Sequence, residues 1–242
     1  MENISEVAAY YNEKFCDSGP EKILEYFLNG YRGKITLATS FGAEDQVLTH
    51  MVSAIDPKSE IFTLDTGRLP EETYRVWERT ERFYGIKIKP FYPDRNALER
   101  LVSEQGINGF YESIEKRKAC CRVRKIEPLK RALGGKKVWI AGLRHEQSVT
   151  RSDARVVEYD EAFGLIKLNP LLAWSTQEVW DYIKRNNIPY NELHDRGYPS
   201  IGCAPCTRAV SEGEELRSGR WWWESPEHKE CGLHIKESIK AD

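Results

Sequence analysis

Apolar residues along the chain follow two periods, and the switches between them outline a fold. Positions 34–39 (KITLAT), 60–64 (EIFTL), 86–92 and 137–143 (KVWIAGL) are short apolar runs rich in β-branched and aromatic residues, as in strands buried on both faces. Segments of helical period lie between them, at about 44–54, at 70–84 with Pro70 in the first turn, and at 112–133 with an interruption near Pro128. Strands alternating with helices predict an α/β fold, a parallel twisted sheet with helices on both faces. After Arg144 the rhythm changes. Positions 155–159 and 164–168 predict a hairpin, and Ser175 with Glu178 predicts a capping box opening a helix that runs to about 187. From 188 onward Gly, Pro, Trp and Cys dominate and periodicity fades. The pattern predicts a single domain over 1–242, with a helical segment at about 1–30 and a functional tail at about 207–242.

Composition narrows the function classes. The 242 residues are 40% hydrophobic and 31% charged, a soluble globular balance, and the net charge is only −2. Bulk charge therefore makes no case for nucleic acid or a membrane surface as partner. No segment offers the ~20 apolar residues of a membrane span. The first fifteen residues are acidic and amphipathic, unlike a signal peptide, so the expected compartment is the cytoplasm. Six cysteines then need a reason, because a reducing compartment disfavours disulfides.

Two turns offer a nucleotide site. The first strand runs into Ser40-Phe41-Gly42-Ala43-Glu44-Asp45, and a strand, a glycine turn and a helix N-terminus together present outward N–H groups to an anion. The second strand ends in Asp65-Thr66-Gly67-Arg68 at the same sheet edge, so the pair could hold a nucleotide between them. Both can equally be read as ordinary βα turns with helix caps. Neither is a GxxxxGK[ST] loop or a GxGxxG. Glu44 and Asp45 suit the helix dipole and would repel the extra charge of a triphosphate.

The cysteines carry more. Cys120 and Cys121 are neighbours, with Cα atoms about 3.8 Å apart, too close for the usual disulfide. They sit in a basic stretch, with Lys116, Lys118, Arg122, Arg124 and Lys125 available to favour thiolates and offset an anionic centre. Cys203 and Cys206 form a CxxC. The two pairs supply four thiolates, enough for zinc or a 4Fe-4S cluster. Adjacent ligands are atypical of zinc, and on a helix they point about 100° apart, so a cluster is favoured and a local distortion of the helix is expected. Cys231 is left over, followed by Gly232 and, three residues on, His234. Upstream, Arg217 and Arg220 suit bidentate binding of phosphate or sulfate, and three consecutive tryptophans, 221–223, cannot all face one core. Cys16, beside Phe15, receives no role.

The segments TSFGAEDQVL, LDTGRLPEETY, KACCRVRKIEPLKRAL, AGLRHEQSVTRSD, GCAPCTRAV, GRWWWE and KECGLH together resemble the assimilatory adenylyl-sulfate reductases, within the phosphoadenylyl-sulfate reductase family. That resemblance spans about 40–234 and implies a Rossmann-like, ATP-pyrophosphatase-like sheet with a modified phosphate loop. It implies a 4Fe-4S cluster on Cys120, Cys121, Cys203 and Cys206, and nucleophilic attack by Cys231 on adenosine 5′-phosphosulfate. Thioredoxin or glutaredoxin would then release sulfite. Lys125, Arg144, Arg217, Arg220 and His234 would line the phosphosulfate; Ser40, Phe41, Leu64 and Gly142 would line the adenosine pocket, with Gly42 in the loop. Alternatives are reduction of the 3′-phosphorylated substrate, or of both, and a zinc-stabilised nucleotide-binding protein without redox chemistry. A homo-oligomer is left open.

Overall fold

The computed structural model describes residues 4–147, 153–211 and 213–225. Its centre is a six-stranded sheet in the order β3-β2-β1-β4-β6-β5. The strands are β1 (Ile35–Thr39), β2 (Glu60–Leu64), β3 (Lys89–Phe91), β4 (Val138–Ile140), β5 (Val157–Asp160) and β6 (Leu165–Leu168). Every pairing is parallel except β5 with β6, so the expected hairpin adds an antiparallel edge to the parallel sheet.

The period-2 alternation of the strands sorts their side chains into two cores. Ile35, Leu37, Ile61, Val138, Ile140, Ile166 and Leu168 face one side. There they meet α2 (Pro20–Gly30), α3 (Ala43–Ile55) and α8 (Thr176–Arg185), through Phe27, Val47 and Val179 among others. Phe62, Trp139 and Leu165 face the other side and meet Leu129, Ala132 and Leu133 of α7 (Glu127–Leu133). Helices thus cover both faces, as the alternation requires.

Several boundaries differ from expectation for local reasons. The third strand is only three residues long; Pro90 at its centre has no N–H to donate, and it survives because β3 is an edge. Pro70 sits at the N-cap of α4 (Glu71–Tyr84), not inside its first turn. The expected helix at 112–133 is α6 (Ile114–Cys121), a π-helical stretch at Arg122–Ile126, and α7. The interruption therefore falls directly after the double cysteine, not at Pro128. α1 (Ile4–Lys14) and α2 fill the expected N-terminal helical segment, and α5 (Arg95–Gln105) was not foreseen. Among the described residues no helix is long and apolar enough to cross a membrane.

Chain order along the sheet reverses between β1 and β4, because β1 leads outward through β2 to β3 and β4 starts the other half. Such a switch point opens a crevice at the strand C-termini, since the helices after β1 and β4 depart in opposite directions.

The capping box opening α8 is present: Ser175 Oγ accepts from Glu178 N at 3.2 Å, and Glu178 Oε2 accepts from Ser175 N at 2.7 Å. Ser175→Ala should lower stability by about 1 kcal/mol. Urea unfolding should show this as an earlier midpoint at unchanged slope.

Candidate active site

A cavity of about 670 Å³ occupies the switch-point crevice. Ser40, Gly42, Leu64, Lys125, Gly142, Arg144, Arg217 and Arg220, all expected at the substrate, line it. The loop after β1 is held by Asp45, marked in the sequence as an acidic residue opening the helix but not as a partner of Ser40. Asp45 Oδ2 accepts from both Ser40 N and Ser40 Oγ, each at 2.6 Å. The turn is thereby pulled against the start of α3, whose N-cap, Gly42, has no side chain to occupy the free N–H groups. A Cβ at Gly142 would collide with Asp45 Oδ1 and lie 3.1 Å from Glu44 Cβ, so only glycine lets the end of β4 approach this closely. Burial pushes the Asp45 pKa up to about 6 against its two Ser40 hydrogen bonds, and neighbouring Glu44 adds to the rise.

Phe41 departs from the expectation of a pocket residue. Its φ is 61°, and this turns the ring into the core, where it is 1% exposed and stacks on Trp77 with centroids 5.6 Å apart. Arg144 lines the cavity but is already engaged. Its guanidinium meets Glu44 at 2.8 Å and Glu146 at 3.1 Å and donates to the Trp174 carbonyl and Thr176 Oγ1.

A second, small cavity is lined by all four paired cysteines. Cys120 and Cys121 end α6; Cys203 and Cys206 flank a short 3-10 turn at Ala204–Cys206. The loop after β2 brings the pairs together: Ala204 N donates to the Arg68 carbonyl at 2.7 Å, Arg124 Nη1 donates to the Thr66 carbonyl at 2.7 Å, and Thr66 Oγ1 lies 3.2 Å from Cys203 Sγ. The π stretch directly after Cys121 is a local distortion of the helix beside the adjacent cysteines.

The cationic lining differs from the sequence expectation. Arg68, Arg117, Arg124, Lys125 and Arg220 border the cysteines, whereas Lys118 and Arg122 are exposed and Lys116 pairs with Glu112. Burial raises the Cys120 pKa, with Arg124 opposing and Cys203 reinforcing. It pushes Cys206 up to about 12, Cys203 reinforcing and Lys125 and Arg220 opposing. Crowded thiols of this kind stay protonated until a metal takes the protons' place.

The donor set suits an iron–sulfur cluster. Among the described residues, the buried N–H donors Arg124 Nε and Trp221 Nε1 find no hydrogen-bond partner, and both residues line the cysteine cavity, where cluster sulfur would accept from them. Among the described residues no three His, Cys, Asp or Glu side chains group so as to hold a metal ion.

What joins the two cavities is the start of the tail. Trp221, 1% exposed with φ 41°, lies between two guanidiniums, Arg117 at 4.8 Å and Arg220 at 4.6 Å from the ring centre. Glu224 returns to grip Arg117 with two hydrogen bonds, at 2.9 and 2.7 Å, with side-chain exposures of 1% and 3%. Burial lowers the Arg117 pKa, but Glu224 and Cys121 outweigh it and hold it above the ordinary value. A Cβ at Gly219 would strike the Arg208 carbonyl oxygen, because the chain at Arg220 bridges back to Thr207 there. Of the other two tryptophans, Trp222 is 40% exposed and Trp223 packs on Tyr111 at 4.5 Å. Lys125, Arg220 and Trp221 line both cavities and form their common wall. Cys231 and His234 lie outside the described residues, and Cys16 is exposed beside Asp17.

Two stability predictions follow from this packing. Arg117→Met leaves Glu224 buried without its cation and should cost about 3–5 kcal/mol, and Arg117→Met with Glu224→Leu should recover most of it. Chemical denaturation of the three proteins measures both steps. The second concerns Asp45. Its folded pKa is above its unfolded value, so its stabilising contribution is complete at low pH and lost as pH rises through about 6. Between pH 5 and 7.5 the wild type should lose roughly 1–2 kcal/mol more than Asp45→Asn, after allowance for solvent screening. Paired unfolding curves at the two pH values give the difference.

The model of the phosphoadenosine phosphosulfate reductase domain matches residues 34–209. The chain is 57% identical over 203 residues to an adenosine 5′-phosphosulfate reductase of Allochromatium vinosum, a match covering 84% of this chain and 79% of that protein. A phosphoadenylyl-sulfate reductase structure from Candida auris, a phosphate complex, superposes with a TM-score of 0.72 at 26% identity, over 85% of this chain and 97% of that one. An FMN adenylyltransferase structure from Candida glabrata matches with a TM-score of 0.55 at 14% identity, over 97% of this chain and 85% of that one, and shares the fold alone. By the matched span and the level of identity, the chain belongs to the phosphoadenosine phosphosulfate reductase domain family.

Proposed function

We propose that this chain reduces adenosine 5′-phosphosulfate to sulfite and AMP with Cys231 as nucleophile, in assimilatory sulfate reduction for cysteine biosynthesis. The observation that carries the reading is the common wall: Lys125 and Arg220 face both a nucleotide-sized cavity and the four-cysteine cavity. The name of the Allochromatium vinosum relative supports this substrate.

The residues divide the work as follows. The thiolate of Cys231 attacks the sulfur of the phosphosulfate, and the sulfur–oxygen bond to phosphate breaks. The bonding electron pair leaves on AMP, where Lys125, Arg217 and Arg220 take up the developing charge. His234 favours and orients the thiolate. Cys231 is left carrying a sulfonate. A donor thiol of thioredoxin or glutaredoxin then attacks Cys231 Sγ and sulfite departs with the electron pair. The donor's second thiol resolves the mixed disulfide and returns Cys231 to the thiol state, so the two electrons come from the dithiol.

Cys120, Cys121, Cys203 and Cys206 would hold a 4Fe-4S cluster. When bound, it supplies a charge-tuning or structural centre beside the phosphosulfate cations. Five free cysteines among the described residues suit a reducing compartment, and we place the reaction in the cytoplasm. Reduction of the 3′-phosphorylated substrate is the second reading, favoured by the match to the Candida auris structure.

Sulfite release should be rapid from adenosine 5′-phosphosulfate and slow from its 3′-phosphorylated form. Cys231→Ser should reduce turnover to background while the anaerobically purified protein stays brown, with about four irons per chain. A colourless protein with one zinc would refute the cluster. Full turnover by Cys231→Ser would refute the nucleophile.

A further inference from the structure

Cysteines drawn from two distant stretches must be held at a fixed separation if one centre is to use all four, and a tyrosine hydroxyl bridges the two stretches. Tyr111 Oη donates to the Pro205 carbonyl at 2.6 Å. Pro205 stands between Cys203 and Cys206, inside the 3-10 turn Ala204–Cys206. Tyr111 ends another 3-10 turn, Gly109–Tyr111, two residues before Ser113, the N-cap of the helix that carries Cys120 and Cys121. The bond spans 94 residues of sequence and joins the lead-in of one cysteine pair to the turn between the other two.

That bond closes a frame of three loops. Ala204 N donates to the Arg68 carbonyl at 2.7 Å, which fixes the Cys203–Cys206 turn to the loop after β2. The Arg68 side chain reaches the other way. Its Nη1 donates to the Ile107 carbonyl at 2.9 Å and its Nη2 to Asn108 Oδ1 at 2.8 Å, and its guanidinium lies 5.4 Å from the centre of the Phe110 ring. Tyr111 to Pro205 is the third side. The tail holds the phenol in place: Trp223 stands edge-on to it, with centroids 4.5 Å apart. The next carbonyl after Pro205, that of Cys206, accepts from Trp221 N at 3.2 Å, so the same turn also abuts the wall between the two cavities.

Exposure decides what the hydroxyl contributes. Tyr111 is 40% exposed, so water can satisfy the Pro205 carbonyl once the phenol oxygen is gone. Water cannot tie the two segments together. The contribution of this bond therefore lies in the register of the cysteine pairs more than in the stability of the fold. We infer that Tyr111 is a positioning residue for the four-cysteine centre: its hydroxyl holds the Cys203–Cys206 turn against the segment that leads to Cys120 and Cys121. This rests on the cluster reading above.

The test compares anaerobically purified full-length wild type with Tyr111→Phe, which keeps the ring against Trp223 and removes the donor. Both should be brown, with about four irons per chain. Tyr111→Phe should change the visible circular dichroism of the cluster and the iron–cysteine stretching bands of its resonance Raman spectrum. It should also lose iron to an added ferrous chelator about 3–10-fold faster, as expected for one hydrogen bond. Trp223→Leu removes the support of the phenol and should alter the same spectra, which keeps the test decisive if Tyr111→Phe fails to fold. Added to Tyr111→Phe it should change little more, because both act through one hydroxyl. Wild-type spectra with wild-type iron loss in folded Tyr111→Phe would overturn the inference. So would wild-type spectra accompanied by a lower urea midpoint, which marks a role in stability alone. A colourless wild type would instead overturn the cluster reading, and this inference with it.

Discussion

Arg117 carries a positive charge into a site where its side chain is 1% exposed, beside Cys121 and under the indole of Trp221. A guanidinium buried this deeply is tolerable only with a carboxylate on it. Glu224 is that carboxylate, and it is 107 residues away in sequence. Once that pair forms, the path of residues 220–224 is settled. The chain must cross the end of α6, Trp221 must lie between Arg117 and Arg220, and its backbone accepts a left-handed φ to do so. The segment leading toward Cys231 is thereby tied to the helix that bears Cys120 and Cys121.

That tie gives the two cavities a common wall. Arg220 is placed there by Trp221 and by the close approach at Gly202, where a Cβ would meet the guanidinium. Lys125 reaches the same wall from the π stretch, which re-aims the helix within one turn of the double cysteine. Without the π stretch, positions after Cys121 would keep α-helical spacing and face a different direction.

Much of this was legible in the sequence, and the exceptions have physical causes. β1, β2, the β5–β6 hairpin and the α8 capping box were readable because each is a local pattern in which every position agrees. α5 escaped although Ala97, Leu98, Leu101 and Val102 form a short apolar stripe behind the Asp94 cap; none of them is fully buried, and the stripe spans little more than one turn. The four cysteines were readable from residue type and pairing. Arg117 was hidden inside a run of basic residues that look alike in sequence. Its spacing of four from Cys121 is matched by Lys116 and Cys120 on the same helix, so only the distant partner Glu224 sets it apart. Asp45 was visible as an acidic residue at the start of a helix, but its hold on Ser40 is made only by the turn the fold imposes.

The common wall also bears on why so many cations can be buried at one place. Arg68, Arg117, Arg124, Lys125 and Arg220 surround the cysteine cavity, and Glu224 pairs with Arg117 among them. Mutual repulsion among such groups in a low-dielectric setting is substantial. Anionic centres on the two sides of the wall would offset it. On the proposed reading, thiolates holding a cluster on one side and a phosphosulfate on the other would each lower the cost of holding Lys125 and Arg220 in place. The cations are then shared: a change of charge in one cavity alters how strongly the wall attracts an anion in the other. On that reading, linkage of this kind would make the electrostatics of the cysteines part of the chemistry at the nucleotide.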